Sequence, residues 1–496
     1  MRWMLRLFVL GLVMLVGLVA LLAWAWAAAP VSTVGKVDFE RPLRIPELAA
    51  SHVDGQGRRV FELTAQEGTT ELLPGTSTGT WGFNGSYLGP TLRAARGEQV
   101  AVEVTNELDE DTSVHWHGMH LPARMDGGPH QPVASGETWR PAWTIDQPAA
   151  TLWYHPHPHG RTEEHVYRGL AGMFILDDPS NPAADRLPHR YGVDDVPVIV
   201  QDKKLSDDGE LRDGGSFLGS SGLLGGTVLV NGTYGPYLDV TTQRVRLRLL
   251  NASTARVYGF AFSDDRQFAV IAGDGGLLPR PSRTDRLLLS PGERAEVVVT
   301  MRPGEDVVLR SHAPDVGGGL FARFNGGADS FDVLQLRAAD RLMPSPRLPD
   351  RLAPTPDLDV ADADVDRRFE LSGRKINGKK MDMSRIDETV ELGTTEVWEV
   401  HNRDGQQHSF HVHDVQFLVL SVDGSPPPPE KAGWKDTIFV RPGSTVRIAM
   451  RFTDYADPDT PYMYHCHLLK HEDSGMMGQF VVVEPGAAAG EVTHAH

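Results

Sequence analysis

Half of the chain's 20 histidines stand in four short motifs: His115-Trp-His117, His155-Pro-His157, His408-Ser-Phe-His411-Val-His413, and His465-Cys466-His467 followed by His471. Imidazole is the commonest metal ligand among side chains, and its clustering in pairs calls for a metal more than for general acid–base work. One His-x-His match arises by chance about as often as it marks a site. Four of them, one enclosing the only cysteine, leave that explanation almost no room. In a strand, residues i and i+2 project to one face and i+1 to the other. Each pair therefore presents two imidazoles together. Cys466 turns the opposite way, and His408, three residues before His411, turns with it. Two different sites share one strand pair.

The site on the cysteine side joins Cys466 and His408 to His471 and Met476 from the loop that follows. A thiolate, two imidazoles and a weak thioether are the ligands of a blue-copper electron-transfer centre. Zinc is the competing metal, but structural zinc sites are four-coordinate and usually richer in cysteine, so the thioether favours copper. The other face collects eight imidazoles and no carboxylate: His115, His117, His155, His157, His411, His413, His465 and His467. That set suits several copper ions with open positions for a small ligand, and it must lie between the first and third parts of the chain. Laid over the third part without gaps, the first has Thr112, Pro156 and Arg161 where the third has His408, Cys466 and His471. One electron-accepting port is the consequence.

The elements that must position these residues are strands. Gln99 to Glu107, Arg244 to Leu250, Ala295 to Met301, Thr445 to Phe452 and Gln479 to Glu484 are short, β-branched and bounded by Gly, Pro or Asn. The 35 prolines and 51 glycines are spread along the chain, as many turns between short strands require. Asn84-Gly85, Asn231-Gly232 and Asn377-Gly378 recur once per unit, each ahead of an alternating strand that ends near Asn106, Asn251 or Asn402. Gly136, Gly292 and Gly443 mark a second repeat. Three tandem β-sandwiches follow, over residues 36–178, 196–337 and 367–485, with Pro- and Asp-rich linkers between and a disordered tail at 486–496 that holds His494 and His496. Turn chemistry accounts for the Asn-x-Ser/Thr patterns at Asn84 and Asn231 without sugar.

Bulk properties bound the remaining classes. With 48 basic and 66 acidic residues the formal charge is -18, which argues against a nucleic-acid partner. A lone cysteine rules out an intramolecular disulfide. Residues 1–35 open with Arg2 and Arg6 and run without a polar side chain from Leu7 to Ala29, the pattern of an export signal. The run is also long enough to cross a hydrocarbon core of about 30 Å, so a cleaved signal and a retained membrane anchor both stay open. Either places the body outside the cytoplasm: periplasmic, cell-surface or secreted.

The motifs HWHG at His115, WYHPHPHG at Trp153, HSFHVH at His408 and HCHLLKHEDSGMM at His465, with AGDGGLL at Ala272 and GWKDT at Gly433, resemble those of three-domain bacterial multicopper oxidases of the laccase, bilirubin-oxidase and cuprous-oxidase group. The resemblance implies an all-β fold of three cupredoxin-like Greek-key sandwiches and four copper ions. It puts type 1 copper on His408, Cys466, His471 and Met476, and type 2 copper on His115 and His411. The type 3 pair falls to His117, His155, His157, His413, His465 and His467. Asp126 and Glu472 match residues that move protons to the cluster, and Asp404 matches an acidic neighbour that orients His408. His159 and His165 read as neighbours of the site or surface residues.

The implied reaction couples one-electron oxidation of a small reductant, phenols or aromatic amines above all, to reduction of dioxygen to water by a monomer. The alternative is oxidation of cuprous or another metal ion in copper tolerance. Between Ala338 and Asn402, however, only Met343, Met381 and Met383 offer the soft thioethers that Cu(I) prefers. A non-catalytic envelope protein and a two-domain nitrite reductase account less well for four intact His-x-His motifs.

Overall fold

A computed structural model describes residues 2–214, 219–360 and 363–492; His494 and His496 lie outside them. Among the described residues six sheets pair into three sandwiches, each closed on its own apolar core. The alternating runs become strands Gln99–Asn106, Arg244–Asn251, Arg294–Thr300, Thr445–Arg451 and Met477–Val483. Each sandwich repeats one pairing: strand Arg59–Thr70 lies parallel to Gln99–Asn106, Asp195–Lys203 to Arg244–Asn251, and Arg367–Ser372 to Thr395–Asn402.

The asparagine repeats have a physical cause. Asn84, Asn231 and Asn377 all adopt positive φ, at 56°, 48° and 53°, which asparagine tolerates better than most residues. Each clamps the unit's first strand in the same way. Asn84 accepts from Thr64 N and donates to Glu62 O, Asn231 pairs likewise with Ile199 and Pro197, and Asn377 with Glu370 and Arg368. Asn106, Asn251 and Asn402 form a second set, each donating to a carbonyl four or five residues on and to a distant one, Val133, Leu289 or Val440. Their amides are thus occupied structurally.

The N-terminal strap belongs to the second sandwich. Arg41-Pro42 pairs parallel with Pro236-Tyr237, Ser32 bridges Ser330, and Leu43 enters the second core. The position expected to open the first domain, residue 36, lies inside this strap. Ahead of it, helix α1 spans Arg2–Ala28 with no buried residue and is long and apolar enough to cross a membrane.

The first and third sandwiches meet face to face. His120 Nδ1 donates to Asp414 Oδ1 at 2.8 Å, and Nε2 lies 3.4 Å from Asp454 Oδ2. Burial opposes the charged ring, but the two carboxylates outweigh it and push His120 from 6.5 up to about 9. A group whose pKa rises on folding stabilises fully below its unfolded value and loses that contribution as pH climbs through the folded one. Thermal stability should therefore decline between about pH 6.5 and 9, and His120→Gln should flatten that part of a melting-temperature profile. An unchanged slope would remove His120 as its source.

Candidate metal centres

Strand Asp457–Cys466 pairs antiparallel with His408–Val412, setting Phe410 opposite Cys466 and His411 opposite His465. The alternation then separates two groups. All twelve candidate ligands are buried.

On the core side of the third sandwich, His408 Nδ1 lies 3.3 Å from Cys466 Sγ, His471 Nδ1 lies 3.5 Å from it, and the two ring nitrogens are 3.2 Å apart. Met476 sits buried in the same core. Its backbone binds both neighbours, donating to His471 O and accepting from Cys466 N. Burial opposes ionisation of Cys466, yet the facing His408 and His471 hold its thiol down to about 5, while Cys466 and Asp404 push His408 up to about 9 against burial. The chain alone thus holds a thiolate beside an imidazolium, whose proton must leave when the pair binds a metal. Asp404 Oδ2 accepts His408 Nε2 at 3.0 Å, and His471 Nε2 donates to Ser220 O at 2.9 Å, so both outer nitrogens are fixed.

The eight other histidines converge across the seam between the first and third sandwiches in a pseudo-twofold arrangement. His115 stacks on His413 at 3.8 Å, and His117 on His411 at 3.7 Å. His115 Nδ1 donates to Asp126 O and His411 Nδ1 to Asp436 O, which leaves both Nε2 atoms buried without a partner. His413 Nδ1 donates to Asp126 Oδ2 at 2.7 Å, and across the seam His117 Nε2 donates to Asp436 Oδ1 at 3.0 Å. Glu472 lies 3.1 Å from His465 Nδ1 and 3.4 Å from His157 Nδ1.

These second contacts fix where the free nitrogens point. His465 Nε2 comes within 3.2 Å of His157 Nε2 and 3.3 Å of His413 Nε2. His117, His155 and His467 bring ring nitrogens together in a second group, and His115 and His411 stand with His413 in a third. Burial, then mutual repulsion, drives the pKa of His117, His155, His411 and His413 far below 6.5, and pushes His157 and His467 down to about 3. Neutral imidazoles with convergent lone pairs and orphaned nitrogens are costly, at roughly 1–3 kcal/mol for each unsatisfied group, unless a cation accepts them. The donor set therefore fits copper at both centres: nitrogen alone at the cluster, and nitrogen with soft sulfur at Cys466.

One reading changes. In the gap-free frame Arg161 stands opposite His471, but the structure puts His165 there. His165 lies eight residues after His157, where His471 lies four after His467. Each accepts a backbone bond from the fifth residue on, Leu170 or Met476. His165 is buried 3.1 Å from Thr112, its other nitrogen on Glu110, whereas His159 is exposed. The first sandwich so keeps the frame with Thr112, Pro156, His165 and Leu170, one imidazole and no thiolate or thioether.

The middle sandwich, which contains none of the twelve candidate ligands, also reaches the cluster. Arg294 donates to both oxygens of Asp436 at 2.6 and 2.7 Å, and to the carbonyls of Thr151, Gly292 and Asp274. Lys435 pairs with Asp274 and Glu293. Sequence reasoning missed Asp436 and Arg294; the only available signal was the pair of motifs AGDGGLL and GWKDT, which place Asp274 and Asp436 without showing that they meet.

Three sandwiches, with a cysteine-centred site in the last and eight histidines across a domain seam, define a multidomain copper protein. Profiles described as multicopper oxidase match residues 64–181, 202–311 and 350–486, and the chain belongs to that family. It is 36% identical over 447 residues to the multicopper oxidase mco of Staphylococcus haemolyticus, covering 88% of this chain and 91% of that one. It is equally 36% identical over 448 residues to the cell division protein FtsP of Escherichia coli, covering 89% and 93%. A crystal structure of a laccase from Pediococcus acidilactici superposes with TM-score 0.81 at 37% identity, covering 90% of this chain and 95% of that one. The cupredoxin-like fold is thereby shown.

Proposed function

We propose that this chain is a laccase-type oxidase, exported to the cell envelope, that passes electrons from phenols or aromatic amines to dioxygen, and that it binds four copper ions. The reading assigns type 1 copper to His408, Cys466, His471 and Met476, type 2 copper to His115 and His411, and the type 3 pair to His117, His155 and His467 on one side and His157, His413 and His465 on the other. The single observation that carries it is that three consecutive residues at the end of one strand, His465, Cys466 and His467, fall into different donor groups, Cys466 with His408 and His471 and its two neighbours with the histidines of the domain seam. When bound, copper supplies one-electron acceptance beside the thiolate and dioxygen reduction within the histidine cluster.

The chain's own part is connection and proton supply. Cys466 is bonded through the backbone to a histidine on either side, so a covalent path joins the clusters. Asp126 Oδ1 and both Glu472 oxygens are buried without an aligned donor. Against burial, the facing His157 and His465 hold Glu472 far below the usual carboxyl range, so Glu472 stands at the cluster as a carboxylate through which protons for oxygen reduction can pass, with Asp126 on the opposite side. Asp404 acts through His408 as a positioning residue and lines the edge where a donor would approach.

A cuprous-oxidase role is the second reading, favoured by Met381, whose backbone donates to Gly475 O, next to Met476. Oxygen uptake by the copper-loaded protein with a phenol, an aromatic amine and Cu(I) separates these. Faster uptake with the phenol or amine is expected, and dominance of Cu(I) would reverse the order. A non-catalytic envelope role predicts no uptake with any donor.

A further inference from the structure

Outside helix α1, Leu320 and Phe321 are adjacent and 74% and 64% exposed. They sit in the 3₁₀ helix Gly319–Asn325 of the second sandwich. Exposed side chains of this size side by side need a reason, and three sets of contacts supply one.

The first fixes where α1 leaves the body. Val31 N donates to Asp329 Oδ1, Thr33 N to Ser330 O and Gly35 N to Asp332 Oδ2. The strap is pinned three residues after α1 ends. The second docks the end of α1 on the apolar turn itself. Trp26 Nε1 donates to Leu320 O at 3.0 Å, Arg323 donates to Trp26 O, and the Arg323 guanidinium stacks 3.9 Å over the Trp26 ring.

The third set ties the turn to the type 1 edge. Asn325 Nδ2 donates to Phe321 O, Ser220 N donates to Asn325 Oδ1 at 3.0 Å, and Ser220 O accepts His471 Nε2. Gln407, beside His408, donates to Asn325 O. Gly318, at the start of the turn, lies so close to Gly405 that a Cβ there would stand 2.8 Å from its carbonyl oxygen.

Helix α1 has 27 residues, about 40 Å at 1.5 Å per residue, against a hydrocarbon core of about 30 Å. Arg2 and Arg6 mark its cytoplasmic end, and Trp24 and Trp26 stand near the other, where interfacial tryptophans gather. Because the strap holds α1 against the turn Gly319–Asn325, a spanning α1 brings Leu320 and Phe321 to the same bilayer surface.

We propose that α1 remains as an anchor, that Leu320 and Phe321 dip into the outer face of the membrane, and that the type 1 edge takes its electrons from an amphiphilic hydroquinone dissolved there. The donor assignment rests on the oxidase reading above; the membrane contact does not. The redox balance closes: two hydroquinones break four O–H bonds to give two quinones, four electrons and four protons, and one dioxygen takes up all eight to give two waters. Partition into the bilayer concentrates such a donor beside the turn, which raises its encounter rate without any new contact.

The test uses the full-length, copper-loaded chain in phosphatidylcholine vesicles. A Phe321→Cys variant carrying an environment-sensitive fluorophore, selective because Cys466 is buried, should be quenched by brominated phosphatidylcholine and not by its unbrominated form. In the same vesicles, Leu320→Ser/Phe321→Ser should lower kcat/KM for a decyl-substituted hydroquinone on the order of tenfold and leave a sulfonated, water-soluble hydroquinone unaffected. An unquenched label overturns the membrane contact, and an equal fall for both donors overturns the donor assignment. Absence of oxygen uptake with either donor sinks the laccase-type reading and that assignment together, while the label still reads the surface.

Discussion

Cys466→Ser is expected to remove the intense visible absorption and the turnover of phenols together, while the histidine cluster keeps its copper. The thiolate is the only charged ligand of its site, and its sulfur-to-metal charge transfer is what would colour the protein. Serine at that position cannot ionise near neutral pH, so the copper held with it should be lost and phenol-dependent oxygen uptake should fall to background. The neighbouring imidazoles should not follow. His465 and His467 lie on the side of the chain away from Cys466, where Glu472 stands 3.1 Å from His465 Nδ1 and the domain seam encloses His467. Retained phenol turnover in a colourless variant would reject a route through Cys466.

Arg294→Met is the second large effect, and it acts from a domain that holds no ligand. Arg294 is fully buried and answers Asp436, which in turn fixes His117 by its side chain and His411 by its carbonyl. Removing one partner of a buried pair leaves an uncompensated charge, at about 3–5 kcal/mol. Losing a group that orients a ligand typically weakens metal affinity about 10–100-fold. Both a lower melting temperature and easier loss of cluster copper to a chelator are expected, with the Cys466 absorption preserved. Arg294→Lys should recover only part of this, because lysine cannot span both Asp436 oxygens as the guanidinium does. A methionine variant that melts and holds copper like the parent would make Arg294 a bystander.

What could be read in advance follows from how local each signal is. His465-Cys466-His467 divides between two faces because a strand alternates, a rule that needs no tertiary knowledge, and the asparagine turns repeat because αL geometry selects that residue. Asp436 and Arg294 were not legible, since they lie 142 positions apart and meet only when two sandwiches pack. The His165 frame failed because the loop after His157 is four residues longer than its counterpart after His467, and equal spacing was the only guide. The strap's pairing was not legible for a related reason: Arg41-Pro42 pairs across nearly 200 residues, and a two-residue parallel contact leaves no periodic trace.

The central claim, that one strand serves two metal centres, is tested most directly by counting copper in the metal-replete protein while recording its visible spectrum. Four ions per chain with strong blue absorption are expected. A colourless protein, or one holding a single copper per chain, would contradict it.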